Sequence, residues 1–411
     1  MKINMHSIVN NKVAQLILLS LLVRIITIFL IGKTPCMEPS YLFQGEQIFK
    51  GTAEILYLSS LYAIVVYVLT LLTGSLFTAS ALIFILGSTL TSVMIYLIAK
   101  HFFGEKTGAY ALLFAIFLPN LTVAISGFAH SVILGTALDL SAIYFLLKYY
   151  ENPSYKRLLW VCAGSVLSIY IRPETLIILV PFFMLFGMYQ ISNYTENKKI
   201  LIRNAILYVA FICLFCFAHK QFVYHNSKNK ATANVFSDSK YSYLTFIHTY
   251  SIRYFDVVDD DKAIKASTPF IGTPEENNYS VFKAVIKNPK QFVSNIFFNM
   301  KEMLDFSGHP LFIPVFLYMF IGALFLTLTK EETVAIRVVL LLLLLHLVPL
   351  ILFHVSIKYL TQVSSLVLIL VAFGASKLNL NKYVLIGVTG LISIVFLMYF
   401  INNMVIASLC G

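Results

Sequence analysis

The sequence predicts an all-α polytopic membrane protein with about eleven transmembrane helices. Of its 411 residues, 59% are hydrophobic and only 12% are charged, and its mean hydropathy is +0.83. A water-soluble fold could not bury this much apolar surface in its interior. Apolar segments long enough to cross a bilayer also recur along the whole chain. Lipid is therefore the expected solvent for most of the protein.

The apolar segments give the order of the expected spans, since a helix needs about 20 apolar residues to cross ~30 Å of hydrocarbon. They cover 13–31, 80–99, 107–126, 132–149, 158–171, 175–189, 200–218, 311–329, 334–353, 360–376 and 383–401. The fifth and sixth are short and flank Arg172-Pro173-Glu174, which indicates a tight hairpin or a broken, re-entrant element. The total therefore lies between about ten and thirteen.

The distribution of basic residues predicts how these helices are oriented. With the N-terminus inside, fourteen Lys and Arg fall in short cytoplasmic segments, and only Lys33, Lys50, Arg172 and Lys358 fall in short outer ones. Short cytoplasmic loops carry an excess of positive charge in membrane proteins. We therefore expect a cytoplasmic N-terminus and a multi-pass protein of the cell inner (cytoplasmic) membrane. The formal net charge of +11 then reports topology and predicts no nucleic-acid partner.

Two outer segments organise the chain. The first outer loop, 32–79, contains the apolar stretch ILYLSSLYAIVVYVLTLL, which we expect to lie along the outer interface, because a span there would invert every later loop. The large extracytoplasmic loop, 219–310, ends in two expected amphipathic helices, with Asn288 as the N-cap and Pro289 as the first residue of the second. The expected units are an N-terminal transmembrane module over 1–218, the large loop over 219–310, and C-terminal transmembrane helices over 311–411.

The first outer loop carries a recognisable motif. It opens with Glu38-Pro39-Ser40-Tyr41, followed by Gly45 and Gly51. This spacing resembles the acidic-x-x-Tyr-x-x-x-small-x5-Gly pattern of GT-C superfamily membrane glycosyltransferases, such as the lipid A aminoarabinose transferases and protein O-mannosyltransferases. The stretches IRPETLIILVP, KNPKQF and IKYLTQVSSLVLILVAFGA are similar in kind and order. The resemblance implies a GT-C-like fold that transfers a sugar from a polyprenyl-phosphate donor to an acceptor hydroxyl at the outer face, usually with inversion.

The resemblance also assigns roles to residues at the outer face. Glu38 is the expected general base, and Arg172 and Lys358 are expected to stabilise the departing lipid phosphate. Tyr41 and Tyr359 would line the sugar site. Each assignment has a structural alternative: Glu38 could cap a helix, the cations could reach to lipid headgroups, and the tyrosines could belong to the interfacial aromatic belt.

The sequence departs from the family pattern at two positions. Met37 stands where many members have an Asp before the Glu, so the base could be displaced by one residue. His130 stands roughly where a second outer acid is expected, and it could act as an acid, a base or a ligand, or be an ordinary loop histidine. The resemblance predicts no definite cofactor, but some relatives use a metal, so a divalent cation is possible. The acidic residues that could hold such a cation are Asp256, Asp259, Asp260 and Asp261. A solvated acidic turn is the favoured interpretation of this cluster.

Two charges lie within predicted spans, Arg24 in the first and Asp139 in the fourth. Each costs at least ~2.5 kcal/mol in hydrocarbon, so both should face the protein interior. The sequence leaves two interpretations open: the two residues pair with each other, or either one borders the path of the donor lipid.

The expected partners are a polyprenyl-phosphate sugar donor, membrane lipids and a lipid, glycan or protein acceptor. One alternative function is an O-antigen polymerase or ligase, but such enzymes place arginines in large loops, and the large loop here has only Arg253. Another is a transporter or flippase of lipid-linked glycans. That class predicts internal repeats, and the sequence shows none.

Overall fold

The computed structural model is helical throughout most of the chain that it describes. The described residues are 12–31, 39–52, 60–117, 130–172, 175–193, 198–226, 243, 247, 260–307, 329–352, 357–377 and 387. Within them the helices are α1 (Lys12–Ile31), α2 (Pro39–Phe49), α3 (Ser60–Thr73), α4 (Leu76–Phe103), α5 (Glu105–Phe117), α6 (His130–Glu151), α7 (Tyr155–Ile171), α8 (Thr175–Asn193), α9 (Lys198–Asn226), α10 (Asp260–Ile271), α11 (Val281–Lys287), α12 (Pro289–Ser307), α13 (Lys330–Leu352) and α14 (Ile357–Lys377).

The helices have the lengths and composition of a membrane protein. Three described helices are long and apolar enough to cross a bilayer, and they lie in α4, α6 and α13. Shorter apolar helices lie in α1, α3, α8, α9 and α14. The expected all-α membrane fold is therefore confirmed. The expected total of eleven spans stays a prediction, because 311–328 lies outside the described residues, as does 383–401 apart from residue 387.

Helix α6 lies at the centre of the bundle and packs on α4, α7, α8 and α14. Small residues allow two of these helices to approach it closely. A Cβ atom on Gly87 of α4 would lie 2.9 Å from the Ile133 side chain, and one on Gly164 of α7 would lie 3.2 Å from the Ala142 backbone. Close approach of helix backbones through small residues is typical of membrane bundles, where dispersion contacts replace the hydrophobic effect.

The first outer loop forms a helical hairpin of α2 and α3. Gly45 is required there, because an added Cβ would lie 2.3 Å from the Ala63 carbonyl oxygen. The Tyr41 and Tyr62 rings meet edge to face at 4.6 Å between centroids. Within the described residues, the apolar stretch of this loop forms the helix Ser60–Thr73.

The large loop contains a helical unit with its own small core. We call this the loop unit: α10, α11, α12, the turn between α10 and α11, and the two residues Tyr243 and Ile247. Its core contains Tyr243, Ile247, Ile271 and Ala284. Asn277 is fully buried, and its Nδ2 donates to Tyr243 Oη at 2.7 Å and to the Ile271 carbonyl at 2.8 Å.

The predicted helix boundary at the end of the loop unit is confirmed. Asn288 separates α11 from α12, Pro289 is the first residue of α12, and Asn288 Oδ1 accepts from Gln291 N at 3.2 Å. An Asx N-cap followed by Pro satisfies one free amide and removes another. Asn299 of α12 in turn donates to the Ile351 carbonyl at 2.7 Å, which attaches the loop unit to the last turn of α13.

The predicted pairing of Arg24 with Asp139 is wrong. The fully buried Arg24 guanidinium donates to the carbonyls of Ile116 at 2.6 Å and Ala115 at 2.7 Å, and to Ser92 Oγ at 3.2 Å. These carbonyls belong to the last described turn of α5, and a backbone carbonyl has two lone pairs with which it can accept from a side chain. Backbone acceptors, not a carboxylate, therefore compensate this charge.

Candidate functional site

The first outer loop contacts the beginning of α6 through Tyr41. Its hydroxyl donates to Ser131 Oγ at 3.4 Å, which is long for a hydroxyl hydrogen bond. The stronger restraint comes from the apolar cluster around it, in which Tyr41 packs with Tyr62 and Ile171. Packing therefore places this predicted sugar-site residue beside the first turn of α6.

Arg172 terminates α7 one turn further along α6. Its backbone is extended, at φ −146° and ψ 98°, and its N–H donates to the Ser168 carbonyl at 2.7 Å. The side chain is 7% exposed and lies on Gly135, where an added Cβ would be 2.6 Å from Arg172 Cδ. The missing side chain of Gly135 thus makes the space that Arg172 occupies.

Tyr41 and Arg172 therefore lie along two successive turns of α6. Tyr41 contacts Ser131 and Arg172 packs on Gly135, four residues later, which is a rise of about 6 Å along a helix. Ile171, the neighbour of Arg172, belongs to the same apolar cluster as Tyr41. The structure thus brings together two residues that are 131 positions apart in the sequence (172 − 41).

The other predicted site residues have side chains outside the part of the chain that the structure describes. Glu38 lies outside the described residues, directly before Pro39, the first residue of α2. His130 is the first residue of α6, and Lys358 and Tyr359 lie in the first turn of α14, but their side chains are outside the described part. The convergence of Glu38, Arg172 and Lys358 on one cavity therefore stays a prediction.

The possible cation site also stays untested. Asp256 and Asp259 lie outside the described residues, and Asp260 and Asp261 begin α10 with side chains that are likewise outside. Among the residues that the structure does describe, no group of three or more His, Cys, Asp or Glu side chains could hold a metal ion.

A buried Asp–His pair is the polar feature that the sequence interpretation missed. Asp139 Oδ2 lies 2.7 Å from His346 Nε2, and both side chains are 1% exposed. The other ring nitrogen, Nδ1, lies 2.7 Å from the Leu342 carbonyl. The available signal was a single histidine in the apolar run LLLLLLHLVPLIL, since an ionisable residue inside a span usually has a partner in the bundle.

Comparison with known proteins gives similarity to glycosyltransferases in both sequence and fold. Residues 60–220 match the sequence pattern of the family described as dolichyl-phosphate-mannose-protein mannosyltransferase. No curated protein sequence matches the chain.

Among solved structures, the chain is similar to the oligosaccharyltransferase of Archaeoglobus fulgidus in complex with Zn and sulfate, at a TM-score of 0.55 and 12% identity, covering 92% of this chain and 51% of that one. The same organism's oligosaccharyltransferase with an inhibitory peptide and a dolichol-phosphate gives 0.52 and 12%, covering 87% and 49%.

The chain thus spans about half the length of these solved proteins. The transferase ArnT of Cupriavidus metallidurans, bound to undecaprenyl phosphate, reaches a TM-score of only 0.35 at 13% identity, covering 89% of this chain and 77% of that one. The oligosaccharyltransferase similarity at such low identity is one of fold. Together with the family match over 60–220, it confirms that this chain is similar to GT-C membrane glycosyltransferases.

Proposed function

We propose that this protein is a membrane glycosyltransferase that moves a hexosyl or pentosyl group from a polyprenyl-phosphate donor to a hydroxyl of a lipid, glycan or protein acceptor, with inversion. The observation that carries the proposal is the assembly of Tyr41 and Arg172 on the first two turns of α6. Both residues were assigned to the site from the sequence, and most of the elements that assemble them lie within the residues that match the mannosyltransferase family.

The proposed reaction places its charges at this end of the bundle. Glu38 removes the proton of the acceptor hydroxyl, whose oxygen attacks the anomeric carbon while the bond from that carbon to the lipid phosphate breaks. The leaving polyprenyl phosphate takes the bonding electrons. Arg172 and Lys358 stabilise its negative charge, because fixed cations in a poorly hydrated site cost no reorganisation during the reaction.

Chain connectivity supports Glu38 as the base. Its Cα lies about 3.8 Å from that of Pro39, the first residue of α2, and Tyr41 of the same helix turn contacts Ser131. A base at this position of the sequence would therefore act near the end of the bundle at which Arg172 lies. His130, the residue before Ser131, is proposed as a second group of the site, and Tyr41 and Tyr359 as residues that contact the sugar.

The proposed topology follows the positive charges of the sequence. The protein would lie in a cell inner membrane with its N-terminus in the cytoplasm, and the beginning of α6 would face outward. The large loop 219–310 would then cover the outer face between the modules 1–218 and 311–411. Attachment of α12 to the last turn of α13 supports this arrangement, because that turn lies at an end of a helix long enough to cross the membrane.

The test is sugar transfer by purified protein in lipid nanodiscs. Labelled polyprenyl-phosphate sugars and a membrane extract would be supplied, with polyprenyl-diphosphate glycans as the donors expected for an O-antigen polymerase or ligase. Glu38→Gln should reduce transfer by about 100-fold or more, within the range of general-base contributions. Glu46→Gln is the matched control, since this glutamate of α2 pairs on the surface with Lys50.

Two results would contradict the proposal at different levels. Full activity of Glu38→Gln would remove Glu38 as the base and leave the transferase assignment standing. Failure of the unmodified protein to use any polyprenyl-phosphate sugar, combined with use of diphosphate-linked glycans, would replace the assignment by the polymerase or ligase class. Movement of the donor across the membrane without transfer would indicate a flippase.

A further inference from the structure

The Asp139–His346 pair joins two helices that are far apart in sequence. The atoms Asp139 Oδ2 and His346 Nε2 are 2.7 Å apart across a sequence separation of 207 residues. Because a carbonyl can only accept, the short contact of Nδ1 with Leu342 O places a hydrogen on Nδ1. The orientation of the ring is thus fixed by its own helix, and Nε2 is left to meet the carboxyl group.

The pair joins two helices that are each linked to one of the residues assigned to the lipid phosphate. Asp139 is one turn beyond Gly135, the residue on which Arg172 packs. His346 is six residues before Leu352, the end of α13, and only four residues separate that end from α14, which carries Lys358 in its first turn. Asp139 therefore lies on the helix against which Arg172 packs, and His346 lies on the helix that precedes the segment of Lys358.

A directional contact suits the task of setting the depth of one helix against another. Both side chains are almost completely buried, and Asp139 Oδ1 finds no partner among the described residues, so the described hydrogen bonding of this carboxyl is to His346. Apolar packing of similar volume can often replace a buried ion pair without loss of stability. Fixing the register of one helix against another is the best attested role of buried polar contacts between helices.

We propose that Asp139 and His346 are positioning residues that hold α13 at one depth against α6, and thereby hold the turn of Lys358 opposite Arg172 for donor binding. This inference rests on the glycosyl transfer proposed above. Neither residue touches the reacting atoms, since each acts through a cation on a neighbouring segment.

The kinetic test compares variants that keep or remove the contact. Asp139→Leu, and the double variant Asp139→Leu/His346→Leu, should raise the KM for the donor by roughly ten- to a hundredfold, because a displacement of about 1 Å can cost about that much. The kcat at saturating donor should fall less. Asp139→Asn should keep the KM within about threefold of the parent value, because its amide N–H can still donate to Nε2.

Thr136→Val is the matched control. Thr136 is a buried residue of the same helix, but its hydroxyl donates to the Val132 carbonyl within that helix. It therefore removes a buried polar group of α6 without removing a link between helices, and the donor KM should not change. The double leucine variant covers the case in which Asp139→Leu fails to fold, since it leaves no uncompensated charge in the bundle.

A second measurement does not need activity. Spin labels at Leu72→Cys on α3 and Met300→Cys on α12, both exposed positions, would report the distance between the part of the molecule around α6 and the part around α13. The protein's own five cysteines would first be replaced. The distance distribution from double electron–electron resonance should broaden or shift in both leucine variants. It should stay narrow in Asp139→Asn and Thr136→Val.

Unchanged donor KM and an unchanged distance distribution in the double variant would overturn the inference and leave the pair as packing only. If the parent protein transfers no sugar from any donor, the proposed function has failed. The distance measurement then tests by itself whether the pair holds α13 against α6. A distance distribution that does not change in the leucine variants would reject that role.

Discussion

Polar side chains in the membrane bundle and in the loop unit find their partners at different distances along the chain. In the bundle, Asp139 meets His346 207 residues away, and Arg24 meets the Ile116 carbonyl 92 residues away. In the loop unit, Asn277 donates to the Ile271 carbonyl six residues away and to Tyr243 Oη 34 residues away, and Lys287 pairs with Glu276 across 11 residues. Lipid offers no hydrogen bonds, so a buried group there must reach whichever helix supplies one.

The comparison predicts its largest effect at Arg24. Arg24→Met keeps much of the side-chain volume but removes the donors to the Ala115 and Ile116 carbonyls. An unsatisfied buried group costs about 1–3 kcal/mol, so the two together should lower the free energy of unfolding by about 2–6 kcal/mol. Thermal or denaturant unfolding in lipid or detergent would measure it, read from the helical signal of the whole bundle.

Arg203→Met is the matched control for that experiment. Arg203 is exposed and lies over the Tyr155 ring at 5.3 Å, so its loss should cost less than about 1 kcal/mol. Equal destabilisation by the two variants would show that burial and backbone acceptors do not distinguish the two arginines. The buried hydrogen bonds of Arg24 would then have no special role in the stability of the bundle.

A smaller and more local effect is expected at Asn277. Asn277→Ala leaves Tyr243 Oη and the Ile271 carbonyl without this donor, at a cost of about 1–3 kcal/mol. Because the loop unit has its own core, hydrogen exchange should accelerate in 260–307 and stay unchanged in α4 and α6. Acceleration of exchange in the bundle would show that the two regions unfold together, which would contradict a loop unit that opens independently.

The same contrast explains how much the sequence could predict. The all-α membrane class, the helices at most of the expected spans and the N-cap at Asn288 follow from composition and from local chemistry. The family resemblance assigned Tyr41 and Arg172 to one site, and both lie against the first two turns of α6, but their roles in a site stay predictions. Glu38, His130, Lys358 and Tyr359 stay predictions at this level.

What the sequence could not predict is the choice of partner inside the bundle. Arg24 and Asp139 were visible as costly charges, and opposite sign suggested that they pair. Backbone carbonyls cannot be singled out by such reasoning, since every residue carries one, yet two of them accept from Arg24. His346 was visible only as one polar residue in an apolar run. Its relation to Asp139 depends on the packing of helices and on no local spacing.

The smallest expected effect is electrostatic and belongs to the loop unit. Hydrogen bonds from Lys287 and from the Thr273 amide hold the pKa of the Glu276 carboxyl below its ordinary value. Thr273 Oγ1 accepts from the Glu276 N–H in return, which completes the reciprocal pattern of a capping box. A folded-state pKa below the unfolded one stabilises the fold above the unfolded pKa, and this contribution is lost as the pH falls through the folded pKa.

Glu276→Gln should therefore open the turn at 272–280 slightly more than the parent protein at about pH 6, and the difference should disappear as the pH falls through the lowered pKa of the folded-state carboxyl. Hydrogen exchange of the two proteins at matched pH measures this difference, which added salt should reduce because the pair is exposed. A difference that persists at low pH would instead assign the effect to the geometry of the capping box, because protonation removes the charge but leaves an oxygen that can still accept from Thr273.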